Sequence, residues 1–81
     1  MTTNNDQMRR QLVEVISRVF RVAPEVVERG VSPDRIEGWD SEKHVELVVA
    51  LEERFNVMFE AEEVPELTSL EQMEAILSRH A

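Results

Sequence analysis

Three side chains able to do chemistry stand close together in the stretch 37-EGWDSEKHVELVVALEERF-55: Asp40, Ser41 and His44. An acid, a hydroxyl and an imidazole are the parts of a hydrolytic triad. A working triad needs the histidine between the serine and the acid, together with an oxyanion hole and a substrate cleft. The spacing argues against that order of contacts, because Asp40 is suited to cap a following helix and His44 falls on the face turned to the core. What remains is an exposed hydroxyl at a helix start. A phosphate ester on Ser41 would sit by unpaired amides at the positive end of the helix dipole, an effect of about 0.3 to 1 kcal/mol that adjacent Asp40 opposes.

Other chemistries are restricted by composition. There is no cysteine, hence no disulfide, no thiolate metal site and no thiol nucleophile, and the two histidines, His44 and His80, are far apart in sequence. Glu60, Glu62 and Glu63 could draw a divalent cation weakly, but the glycine-centred loop of an EF-hand is missing, so no metal site is assigned. His44 reads as a packed or loop-facing histidine with one hydrogen bond, and Met8, Met58 and Met73 as core filler. The net charge of −8 makes nucleic acid an unsuitable partner. Residues 1–39 are balanced, with six acids and six arginines, whereas residues 40–66 hold nine acids against Lys43 and Arg54.

Stepping outward, the elements that must position these groups are helical. Met8, Leu12, Val15, Ile16, Val19 and Phe20 recur at three- and four-residue intervals and predict a helix from Asp6 to Phe20. Pro24 permits at most a short helical turn before Gly30, and residues 30–38 read as an irregular loop up to Trp39. Asp40 caps a helix running to Phe55, and Asn56 interrupts the pattern. Glu60 to Val64 is expected to form a short acidic helix limited by Pro65. Thr68 and Glu71 match a capping box, and Leu70, Met73, Ile76 and Leu77 mark the core stripe of a last helix. The 81 residues suit a single domain, 1–81, with residues 1–5 a flexible N-terminus. Neither a secretory signal nor a membrane-length apolar run is present, so no membrane insertion and a cytoplasmic location are expected.

At about 100° per residue from Ser41, the residues His44, Leu47, Val48, Leu51 and Phe55 fall between roughly 240° and 340°, the buried arc. Val45, Val49, Glu42, Glu46, Glu52 and Glu53 fall between roughly 20° and 140°, away from the core. Singly these are ordinary surface residues. Together they make an apolar centre with an acidic rim, suited to partners with basic patches.

The residues Asp40-Ser41, Val45-Glu46-Leu47-Val48, Leu51-Glu52-Glu53-Arg54-Phe55, Glu62-Glu63 and Leu67-Thr68-Ser69-Leu70 together resemble the acyl carrier protein family over about residues 6–79. The resemblance implies an all-α, small four-helix bundle with three main helices, one short helix and a long first loop. It implies a phosphoprotein, acting as a monomer, whose Ser41 is esterified with 4′-phosphopantetheine by a phosphopantetheinyl transferase using coenzyme A and magnesium. Asp40 matches the aspartate that helps bind metal during transfer, and Glu42, Val45, Glu46, Val49, Glu52 and Glu53 match the partner-binding surface. The arm would hold cargo as a thioester for separate acyl- or aminoacyl-loading and acyl-transferring enzymes with basic docking patches, so the chain itself is not an enzyme. Val45, Val48, Phe59, Leu67 and Ile76 stand where some members shelter a cargo chain, although core packing accounts for them equally.

Two departures stand out from the family pattern. Glu42 and Lys43 follow the serine where an apolar residue is common, and Trp39 and His44 resemble carriers of specialised pathways more than the carrier of fatty acid biosynthesis. The expectation is therefore a carrier in a specialised lipid or polyketide biosynthesis pathway. The alternatives are an aminoacyl or peptidyl carrier of a nonribosomal-peptide-like pathway, or a degenerate carrier fold acting as an unmodified acidic interaction module.

Overall fold

The computed structural model describes residues 4–80, with side chains described from residue 7 onward. Four α-helices follow in order: α1 (Asn4–Phe20), α2 (Pro24–Glu28), α3 (Ser41–Phe55) and α4 (Leu70–His80). A single 3₁₀ turn, Val64–Glu66, lies between the last two. Helix α1 packs against each of the other three helices. The described residues contain no strand, and none of their helices is long and apolar enough to cross a membrane.

The periodic apolar residues meet in one core. Leu12, Val15, Ile16 and Phe20 from α1, Leu47, Val48 and Leu51 from α3, and Leu70, Met73, Ile76 and Leu77 from α4 are all buried. Val13 joins them from α1, while Met8 and Val19 pack at the edge. The long first connection also enters the core through Val31 and Ile36, and Val27 does so from α2. These residues are apolar but not periodic, so the helix pattern gave no reason to place them inside.

Helix ends follow from local chemistry. Helix α1 stops where Arg21 adopts a left-handed conformation (φ 58°), with the Val22 amide reaching back to the Ser17 carbonyl at 3.1 Å. Helix α3 ends in the same way at Asn56 (φ 56°), whose short amide side chain suits that region, and the Val57 amide donates to the Glu52 carbonyl at 3.1 Å. Helix α4 is capped by Ser69, whose Oγ accepts from the Gln72 amide at 3.2 Å. The expected box at Thr68 is thus shifted by one residue. The same donor and acceptor types occur at both registers, and Thr68 instead donates its hydroxyl to the Gln72 side chain at 3.0 Å.

Several further expectations are corrected. Helix α1 begins at Asn4 rather than Asp6, so residues 4 and 5 belong to it, and residues 1–3 of the expected flexible N-terminus lie outside the described residues. The short fourth helix is α2; Glu60 to Val64 does not form it. There the Glu63 carboxylate accepts from the Glu60 amide at 2.9 Å, closing a turn, and Pro65 lies in the first positions of the 3₁₀ turn Val64–Glu66 that follows instead of ending a helix. Met58 is not core filler: it is 80% exposed, because the chain has already left α3 and turned outward.

Glu63 also ties this acidic turn to the end of α4, facing His80 Nε2 at 2.9 Å and Arg79 at 3.8 Å. The Glu60 amide above all, then the His80 ring and Arg79, hold its carboxyl below the usual carboxylate range. A depressed folded value means that the ionised form stabilises the fold above the ordinary value of 4.5, and that this contribution disappears as pH falls through the folded value. Denaturant titrations should therefore show the wild type more stable than Glu63→Gln at neutral pH, with the gap closing below about pH 4.5; a gap that widens on acidification contradicts the tie. In the same assay Leu51→Ala, at a site with no exposure, should cost about 2–5 kcal/mol, whereas Val49→Ala should cost within about 0.5 kcal/mol.

Candidate functional site

Helix α3 begins where its capping residue places it. Asp40 is extended (φ −108°, ψ −173°), its Oδ1 accepts from the Lys43 amide at 2.8 Å, and its carbonyl accepts from the His44 amide at 2.9 Å. Ser41 is consequently the first helical residue, and it is exposed. Gly38 (φ +86°) makes the turn immediately before, in a backbone conformation that side chains other than glycine rarely adopt. That turn delivers Trp39 against Phe20 of α1, with ring centroids 4.8 Å apart.

As the spacing implies, the three residues do not assemble a triad. His44 is half-buried and both ring nitrogens are engaged away from Ser41. The Trp39 indole N–H donates to His44 Nδ1 at 3.0 Å, and His44 Nε2 lies 2.7 Å from the Val64 carbonyl, so Nε2 is the nitrogen that carries the proton. The ring is thereby a neutral bridge from the residue before Asp40, through the first turn of α3, to the 3₁₀ turn. It makes two hydrogen bonds rather than the one expected. Asp40 is occupied as a cap, so neither partner activates the Ser41 hydroxyl in this arrangement.

Next to Ser41 lies a groove of about 510 Å³, within the range of roughly 300–1,000 Å³ typical of small-molecule sites. Trp39, Asp40, Ser41, His44 and Val45 form one side, Pro33 closes the loop edge, and Ala61, Val64, Pro65 and Thr68 form the other. The sequence singled out the first side. It carried no signal for the second, because residues 61–68 reach the serine only through the fold of the 3₁₀ turn.

Along α3 the outward face is arranged as the angular reading predicts. Val45 is 58% and Val49 46% exposed, and Glu42, Glu46 and Glu53 are exposed beside them. Val45 therefore belongs to this face and does not line an interior route; Val48, Phe59, Leu67 and Ile76 are buried. Glu46 pairs with Lys43 at 3.1 Å on the surface, while Lys43 Nζ also donates to the Val19 carbonyl at the end of α1. Glu52 differs from the other acids: it is half-buried and its Oε2 accepts from the Phe59 amide at 3.0 Å, supporting the chain just past α3. Its carboxylate serves the fold more than the surface.

No family model matches this sequence, and no curated protein matches it.

Replacing Glu46 and Glu53 together by lysine should change unfolding free energy by less than about 1 kcal/mol, since exposed helix charges contribute only tenths. Chemical denaturation checks this; a collapse in stability would mean that these glutamates hold the fold and do not form an open rim.

Proposed function

We propose that the chain is a phosphopantetheine-dependent carrier, with Ser41 as the attachment residue and cargo delivered to it by separate enzymes of a specialised lipid or polyketide pathway. The observation that carries this reading is the placement of an exposed, unactivated serine at the first position of a capped helix, beside an apolar groove and next to an apolar and acidic face.

The residues present fit such a group. The Ser41 hydroxyl is accessible to a transferase, and the first-turn amides lie near the phosphate that an ester would add. Asp40 holds the helix start and, on the resemblance, stands where a carrier's aspartate assists magnesium during transfer. The apolar lining of the groove offers a surface for the methylene and methyl groups of an arm rooted at its rim. When attached, the arm supplies a terminal thiol that holds cargo as a thioester, a function no side chain of this cysteine-free chain can provide.

In this reading the protein's own work is presentation and recognition, not catalysis. Val45 and Val49 form the apolar centre of a docking face, and Glu42, Glu46 and Glu53 steer partners with basic patches and disfavour acidic ones. Glu42 in particular puts a charge beside the attachment residue, which favours transferases and loading enzymes that bring a cation to that point.

Incubation with coenzyme A, magnesium and a broad-specificity phosphopantetheinyl transferase, followed by intact mass spectrometry, tests the proposal. The expected result is a gain of one phosphopantetheine that Ser41→Ala abolishes. No gain with several transferases would favour the unmodified interaction module. Loading of the modified protein only by an amino-acid adenylating enzyme would replace the acyl reading by the aminoacyl one.

A further inference from the structure

The bridge through His44 uses one specific protonation state. Trp39 Nε1 can only donate, so Nδ1 of His44 must accept; the Val64 oxygen can only accept, so Nε2 must donate. A second proton on the ring would place it on Nδ1, facing the indole N–H at 3.0 Å, and would turn that hydrogen bond into an opposition of two donors. The Val64 contact survives the change, because Nε2 still donates. The consequence of protonation is therefore directional: it releases Trp39 and leaves the 3₁₀ turn attached to α3.

We propose that His44 is a proton-operated latch that holds Trp39 in the wall of the groove beside Ser41, and that its protonation loosens this wall while the helices stay packed. Trp39, Ser41, His44 and Val64 all line the same groove, so the indole is part of the surface that a group at Ser41 would meet. Trp39 is half-buried at the edge of the core, with the Phe20 ring at 4.8 Å and the His44 ring at 6.0 Å, and its indole N–H bond to His44 is the directional one among these contacts. Leu47 and Leu51 beneath it are fully buried.

Asp40 is the other titratable residue lining the groove, and its carboxylate is bound to the Lys43 amide. Lys43 on α3 is directed to Val19 and Glu46. On the 3₁₀ side, Glu63 is held by His80 and Arg79, and Glu66 is exposed. From α1 the uncharged ring of Phe20 packs on Trp39. The latch stands on this geometry and does not require the carrier reading, so it can be tested on the unmodified chain.

Trp39 is the sole tryptophan, so its emission reports the wall alone. Acrylamide quenching of Trp39 should rise about twofold on acidification from roughly pH 8 to pH 5, with helical circular dichroism unchanged. His80→Gln should keep this transition. His44→Gln should abolish it and hold the quenching at its high-pH level, since a glutamine amide can accept from the indole and donate to Val64 at every pH. The proposal is overturned by a flat wild-type profile, by a transition that persists in His44→Gln or vanishes in His80→Gln, or by loss of helix in step with the quenching. Should His44→Gln fail to fold, nitrogen NMR of the wild type decides. A neutral Nε2–H ring at pH 8, with the Trp39 indole resonance shifting as His44 gains its proton, supports the latch; an Nδ1–H ring or an indole resonance indifferent to that proton overturns it.

Discussion

The hydrogen bond from the Lys43 amide to the Asp40 carboxylate determines where α3 begins, and most of what the molecule presents follows from that starting point. Along that helix Leu47, Val48 and Leu51 turn into the core while Val45 and Val49 turn out. A start displaced by one residue would leave that stripe facing the core but would take Ser41 off the first helical position. The cap itself is worth about 0.5–2 kcal/mol. The two constraints are separate: burial of the α3 stripe fixes which face turns outward, and the cap fixes Ser41 as the first helical residue.

Around that helix the structure separates two kinds of acidic residue that composition alone treats as one. Glu52 and Glu63 accept backbone amides and are partly shielded; they shape the chain between α3 and α4. Glu42, Glu46 and Glu53 remain exposed beside two outward valines. The first group ties the 3₁₀ segment into place and so builds the far wall of the groove. The second is free of that duty and, on the proposed carrier reading, would steer partners through charge, with a reach of about a Debye length, roughly 8 Å at physiological salt.

Legibility from sequence tracked periodicity. The stripes of α1, α3 and α4 were readable because helical spacing puts apolar residues on one face, and Leu70, Met73, Ile76 and Leu77 are buried as that spacing requires. What spacing does not encode was missed or displaced. Val31 and Ile36 enter the core from a loop, Met58 looked apolar enough to be buried but is exposed, and the turn at 60–63 closes through a side chain instead of continuing as helix. At the site, Asp40, Ser41 and the outward face were legible because all belong to one helix. Trp39 and His44 were visible as residue types, but their bond depends on the turn at Gly38, and the partner carbonyl of Val64 is supplied from twenty residues away. Long-range backbone acceptors leave no mark on the identity of the residue that carries them.

The central claim, that Ser41 is the residue this fold exists to present, is tested most directly by locating a label. The chain is treated with a phosphopantetheinyl transferase and a fluorescent coenzyme A analogue, digested, and the labelled peptide fragmented to single-residue resolution. The account predicts the label on Ser41 and on none of Ser17, Ser32, Ser69 or Ser78. A label on any of those serines, or no label under conditions that modify a known carrier in the same tube, would contradict it.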